Sequence, residues 1–210
     1  MESQRLLSND SLLIWHPCMQ QKNFETTPPI LIQEAKGVYL YDNEKNSYID
    51  AISSWWVNIL GHKNEKIDKA VKAQLDSFAH VMTANFTHEP MIKLAQRLTA
   101  LTGNKLNKVF FADNGSSAIE AALKMAFQYF KNQGVEKKLF VALENSYHGE
   151  TLGALSVGDV AIYKKTFAPI LLETVTSKAP ADKSAFESEQ ALFELEKIFS
   201  AQADDIAAFI

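Results

Sequence analysis

The chain has 210 residues, 47% hydrophobic and 22% charged, with a formal net charge of -4 and a pI near 5.8. That size can bury a core in one or two domains, and the mixed charge without a Lys/Arg block argues against nucleic acid or an anionic membrane as partner. The single cysteine, Cys18, excludes an intrachain disulfide framework. The absence of any apolar run near the roughly 20 residues of a bilayer span, and of a signal-peptide pattern, gives a soluble cytoplasmic protein as the expectation.

The opening stretch to about Ile30, with Pro17, Pro28 and Pro29, reads as extended or irregular chain. Gly37–Asp42 and Tyr48–Ile52 read as two strands of a hairpin joined by the polar turn Asn43–Asn46. Helical spacing begins at Asn64, with Ile67, Ala70, Val71, Leu75 and Phe78 on one face. Thr87 and Pro90 suit the start of a second helix with Ile92, Ala95, Leu98 and Leu101 as its stripe and Gly103 as its stop. Lys108–Asp113 then reads as a buried-type strand, Asn114–Ser117 as a tight turn, and Ile119–Phe130 as a helix ending near Gly134. A strand follows at Leu139–Leu143, a helix at Ala191–Ala201, and an apolar strand at Ile206–Ile210. Alternating strand and helix is the grammar of a parallel α/β sheet, which places ligands at the carboxyl ends of its strands. Ending on a run as apolar as Ile206–Ile210 suggests a chain cut at a strand.

Four segments carry candidate chemistry. At Asp113–Ser117, Gly115 lets a ligand approach the backbone, and the following helix start favours an anion such as a phosphate. The same turn could instead be an ordinary strand-to-helix connection with Ser116 as cap. It lacks the residues of a Walker loop or a dinucleotide fingerprint, so a nucleotide-binding oxidoreductase has only Gly115 behind it. At Asn145–Gly149, Tyr147 and His148 could stack on a flat heteroaromatic ring, or belong to a surface loop. Trp55 and Trp56 could wall an apolar pocket or pack in the core; in a strand, neighbours point to opposite faces and the two roles would be split. His16 and Cys18 hint at a metal or thiol site, but no second cysteine or His cluster supports it, and His62, His80 and His88 have no ligand-like spacing.

Taken together, Trp15-His16-Pro17, Ser53-Ser54-Trp55-Trp56, Thr87-His88-Glu89-Pro90, the segment from Phe110 through Asn114-Gly115-Ser116-Ser117 to Ala126, and Asn145–Gly158 resemble the class III aminotransferases, and within them the biotin-pathway branch. The resemblance runs from about Trp15 to Gly158 and resumes at Ile206–Ile210. It implies an α/β fold-type I pyridoxal 5'-phosphate enzyme with a large, mainly parallel-sheet domain (61–210, incomplete) and the N-terminal part of a small domain (1–60), acting as a homodimer on small molecules. It implies Gly115, Ser116, Tyr147 and His148 as cofactor-binding residues, and Trp55, Trp56, Tyr147 and Cys18 as substrate-binding residues, with no metal. The implied reaction is amino transfer from S-adenosylmethionine to 8-amino-7-oxononanoate. At Cys18 many members carry a tyrosine that stacks on the donor's adenine, which a cysteine cannot do. None of the lysines present stands in the family's setting for the Schiff base, so the resemblance implies a fragment without catalytic residues, inactive alone. The alternatives are another class III enzyme, of ω-amino acid or ornithine type, and a short non-catalytic partner subunit.

Overall fold

The structure, a computed structural model, describes residues 2–180 and 185–210, with the side chains of 185–187 outside the description. The chain forms two compact units, Met1–His88 and Glu89–Ile210.

The first unit opens with helix α1 (Glu2–Leu13), followed by a short 3-10 turn at Gln21–Glu25. This corrects the expectation of irregular chain up to Ile30. The three prolines that suggested it all follow Leu13, so nothing in the first 13 residues breaks a helix. An antiparallel sheet follows, with strand order β1 (Ile32–Lys36), β2 (Tyr39–Asp42), β3 (Ser47–Ile49). The expected hairpin is β2–β3, registered Tyr39 to Ile49 and Tyr41 to Ser47. Its turn is held by the buried Asp42, whose carboxylate accepts the backbone N–H of Glu44 and Asn46, the Asn46 amide and the Tyr48 hydroxyl at 2.8–2.9 Å. The β1 strand had no period-2 signal to announce it; it exists because Gly37 turns the chain and lets β2 complete its ladder. Next come the single turn α2 (Ser53–Trp56) and helix α3 (Glu65–Ser77). Asn64 caps α3 by accepting from the N–H groups of Lys66 and Ile67.

The second unit begins with α4 (Glu89–Leu101), where Pro90 sits in the first turn and Gly103, at φ +60°, follows the end. The expected strand at Lys108–Asp113 is not one. Among the described residues it pairs with no other strand, and extended chain becomes a strand only when a neighbour takes up its N–H and C=O groups. Helix α5 (Gly115–Asn132) and strand β4 (Leu139–Leu143) form where expected. Short helices α6 (Leu152–Val157) and α7 (Ala161–Lys164) and a 3-10 turn at Ala168–Ile170 lead to β5 (Thr174–Ser177). Helix α8 (Ala185–Gln202) then leads to β6 (Ile206–Phe209). The sheet is parallel, in the order β5-β4-β6.

The core of this unit is Leu123, Phe140, Ala142, Val157 and Ala207, with Ile119, Ala126, Phe130, Ala208 and Ile210 packed against it. One face of α5 therefore lies on β4 and β6, and each large apolar side chain so buried stabilises by about 1.5–3 kcal/mol. Helix α6 is buried from Gly153 to Val157, although no apolar periodicity marks so short a segment. Its ends carry opposite charges suited to its dipole. Glu120 accepts at the N-terminal end, and Lys164 donates to the Ser156 and Gly158 carbonyls, both at 2.9 Å, at the other.

Candidate cofactor-binding site

The start of α5 is built by Asn114. Its backbone is extended (φ -157°, ψ 172°), and its side chain accepts the Ser117 N–H at 2.8 Å. The first intrahelical bond runs from the Ala118 N–H to the Asn114 carbonyl. The N–H groups of Gly115 and Ser116 precede it and project from the positive end of the helix, where an anion is favoured. Nothing lies within 4 Å of the place a Cβ on Gly115 would occupy, so a ligand can reach the backbone there. Beside the turn, the Ser117 hydroxyl, first among several hydrogen bonds, holds the Asp113 carboxyl below its ordinary range.

The loop after β4 is tied on its far side to the end of α6. The Ser146 hydroxyl donates to the Val157 carbonyl, Asp159 N–H donates to the Ser146 carbonyl, and Asn145 N–H donates to the Asp159 carboxylate. On the near side it meets α5. Gly149 has φ +121°, and a Cβ there would stand 1.9 Å from Ser116 Oγ and 2.8 Å from Ser116 Cβ. Only glycine permits this approach. The two segments singled out from the sequence, Gly115-Ser116 and Tyr147-His148-Gly149, thus meet at the carboxyl end of β4. Tyr147 is half exposed, donates to Glu150 Oε1 at 3.2 Å, and has its ring 6.0 Å from that of Tyr163. His148 Nε2 is enclosed with no hydrogen-bond partner among the described residues.

Sequence reasoning missed the residue that joins these segments. Glu120 lies four residues after Ser116, on the same side of α5. Its Oε1 accepts from the Thr151 hydroxyl at 2.6 Å, Gly153 N–H at 2.8 Å and Ala154 N–H at 3.2 Å. The Thr151 hydroxyl, followed by the two N–H groups, keeps the Glu120 carboxyl below its ordinary value against the opposing effect of partial burial. The available signal was a carboxylate one helical turn beyond the Asn-Gly-Ser-Ser turn, on the side of α5 that also carries Ser116.

The remaining candidates belong to the first unit. Ser53, Ser54, Trp55 and Trp56 all have positive φ, from 48° to 67°, so α2 is a left-handed turn rather than part of a strand. The division of the indoles between core and pocket, argued from strand geometry, therefore does not apply. Trp55 is 56% exposed and Trp56 72%. Left-handed helix costs non-glycine residues about 1–2 kcal/mol each, so the turn needs support. Asp50 gives it, accepting the Ser54 N–H on one carboxylate oxygen and the Ser54 hydroxyl and His62 Nε2 on the other, each at 2.8 Å. Those bonds, with that from the Ser54 N–H foremost, hold the Asp50 carboxyl below its usual range. Cys18 is exposed with φ +59°. His16 donates to Asp10 at 2.9 Å. Among the described residues no three His, Cys, Asp or Glu side chains are grouped to hold a metal ion, and no helix is long and apolar enough to cross a membrane.

A helix start suited to an anion, set against an aromatic loop at the carboxyl end of a parallel strand, is the arrangement by which α/β proteins bind phosphorylated ligands. The chain belongs to the class III aminotransferase family, whose model matches residues 20–210. It is 48% identical over 209 residues to the adenosylmethionine-8-amino-7-oxononanoate aminotransferase of Helicobacter pylori, covering 99% of this chain and 47% of that protein. It is 36% identical to the Staphylococcus aureus protein of the same name, covering 99% and 48%. The crystal structure of adenosylmethionine-8-amino-7-oxononanoate aminotransferase from Methanocaldococcus jannaschii superposes with a TM-score of 0.87 at 32% identity, over 99% of this chain and 46% of that one. An omega transaminase from Pseudomonas jessenii, solved in complex with PMP, gives a TM-score of 0.83 at 26% identity, over 97% and 48%. The chain spans about half the length of these relatives. The α/β fold-type I architecture expected from the sequence is the observed one.

Proposed function

We propose that the protein carrying this chain is a pyridoxal 5'-phosphate-dependent aminotransferase that converts 8-amino-7-oxononanoate to 7,8-diaminononanoate, with S-adenosylmethionine as amino donor, in biotin biosynthesis. The observation that carries the reading is the contact of Gly149 with Ser116, which sets the phosphate turn and the aromatic loop side by side. The 48% identity to a relative of that name supports this substrate over an ω-amino acid or ornithine-type enzyme.

The residues fit the cofactor. Gly115 offers open backbone, Ser116 a hydroxyl, and the α5 N-terminus a positive field for the phosphate dianion. Tyr147 supplies an aromatic face beside the ring, and the unpartnered His148 Nε2 a polar atom beside it. When bound, pyridoxal phosphate supplies an electron sink for the carbon losing or gaining the amine. The chain's own share is to bind and orient: it anchors the phosphate, bears on the ring through Tyr147 and presents Trp55, Trp56 and Cys18 to the substrates. We propose further that residues 1–60 belong to the small domain and 61–210 to the large one, that the enzyme is a cytoplasmic homodimer, and that the lysine which binds the cofactor lies in the rest of the full-length protein.

The test is an assay of the full-length protein with pyridoxal phosphate, 8-amino-7-oxononanoate and S-adenosylmethionine, following diaminononanoate by mass. Production of diaminononanoate is expected. Turnover only with ω-amino acids or ornithine would move the assignment within the class, and the absence of cofactor binding would overturn it.

A further inference from the structure

We infer that Asp50 and His62 form a partly buried clamp that positions Trp55 and Trp56 for the amino acceptor; the inference rests on the aminotransferase reading only for what the indoles meet. Residues 53–56 hold four consecutive positive φ angles without a glycine. Backbone in so disfavoured a region persists only where its surroundings over-determine it. Here the surroundings are two anchored side chains. Asp50 donates its N–H to the Val38 carbonyl, and His62 exchanges both backbone bonds with Gly37, at 3.0 and 2.8 Å. That exchange needs Gly61, at φ +81°, where a Cβ would lie 3.1 Å from the Gly37 carbonyl oxygen. The β1–β2 turn thus secures both ends of the segment that contains α2.

The side chains complete the clamp. A carboxylate only accepts, so His62 carries its proton on Nε2 and donates it to Asp50 Oδ2. Asp50 then has both oxygens engaged, and two of its three bonds fall on Ser54, the second residue of the turn. The Asp50 and His62 side chains are 7% and 15% exposed, whereas both indoles stand out toward solvent. The polar machinery is hidden and the apolar surface displayed, the reverse of the usual partition. A turn kept merely for chain reversal would have no need of four non-glycine residues in this region or of two large apolar side chains on it. A rigid, displayed aromatic pair suits an acceptor with a long aliphatic chain, since preorganised rings lose little entropy on contact.

The experiment compares full-length wild type with Asp50→Ala and Asp50→Asn. Asparagine can still accept from the Ser54 N–H and, with the other His62 tautomer, donate to the ring. Expected for Asp50→Ala is a KM for 8-amino-7-oxononanoate raised about tenfold or more, with kcat changed less than about threefold, since a lost wall for ground-state and transition-state binding acts on KM. Expected for Asp50→Asn is recovery of most of the affinity. The absorption spectrum of bound cofactor stays as in wild type. An unchanged KM in Asp50→Ala, or a fall of kcat, cofactor loading and stability together, would overturn the clamp as a positioning device. A crystal structure of Asp50→Ala reads the geometry directly: residues 53–56 should leave positive φ, and an unaltered turn would refute the clamp even if the wild type proved not to be an aminotransferase. Wild type that binds no cofactor, with a turn that does relax in the variant, would remove the functional reading and leave the clamp standing.

Discussion

Replacing Glu120 by Ala should uncouple the aromatic loop from α5. Glu120 Oε1 takes three donors, two of them backbone N–H groups at the start of a buried helix. A hydrogen bond to a charged group contributes about 1.5–3 kcal/mol net, and buried N–H groups left without a partner add to the loss. Glu120 is only partly buried and one oxygen serves all three donors, so with solvent screening the whole comes to about 2–4 kcal/mol for Glu120→Ala. Glu120→Gln keeps an acceptor oxygen and should cost about 1–2 kcal/mol. The effect also has a pH signature. The folded value of Glu120 is lowered from 4.5, so its contribution is fully present above pH 4.5 and fades as pH falls through the lowered value. Urea unfolding of the full-length protein and both variants, at pH 7 and at successively lower pH, measures this. The wild-type advantage over Glu120→Gln should shrink on the acid side. A Glu120→Ala variant as stable as wild type at pH 7, or an advantage that grows in acid, would refute the reasoning.

Gly149→Ala should cost about 2–4 kcal/mol through strain and overlap with Ser116, and should lower cofactor occupancy as read from absorbance; the clash involves Ser116 Cβ, so rotating the hydroxyl cannot relieve it. Ser116→Ala removes the bond that Ser116 is proposed to give the phosphate, about 1.5–3 kcal/mol, and should weaken pyridoxal phosphate binding by roughly 10–100-fold in equilibrium titration with the fold unchanged. Asp42→Ala strips four hydrogen bonds from the β2–β3 turn and should lower the urea midpoint. The Asp42 carboxyl sits below its usual value, chiefly through the Asn46 amide, so the wild-type advantage should be full near neutrality and disappear as pH falls below 3.8, the ordinary Asp value it is lowered from.

Much of the fold was legible because its signals are local. The α5 stripe, the β4 run and the terminal strand β6 each occupy a short window whose period or apolar length speaks for itself. The start of helical spacing at Asn64 was legible, but the cap of α5 is Asn114, which accepts the Ser117 N–H, and not Ser116, which lies inside the first turn. The two parts of the candidate site were legible one by one, as a tight turn before a helix and an aromatic loop after a strand, but their meeting was not, because Lys108–Asp113 is no strand of the sheet and the Gly149–Ser116 approach comes from folding. Helix α1 was missed because prolines outside it were allowed to speak for it. Helix α6 and strand β5 were missed because six and four residues are too few to show a period.

By itself the sequence determined the longer helices α3, α4, α5 and α8, the paired strands of the hairpin and the turns that carry Gly115 and Tyr147, since each rests on neighbours within a few residues. Only the tertiary structure decided whether Lys108–Asp113 is a strand, because a ladder needs a second chain segment beside it. Only it set Gly149 against Ser116, and gave Glu120 its donors from 31 to 34 residues away. Only it wound Ser53–Trp56 left-handed under Asp50 and His62. The sequence names such a carboxylate, but its role is set by which N–H groups folding brings to its oxygens, and those come from distant segments.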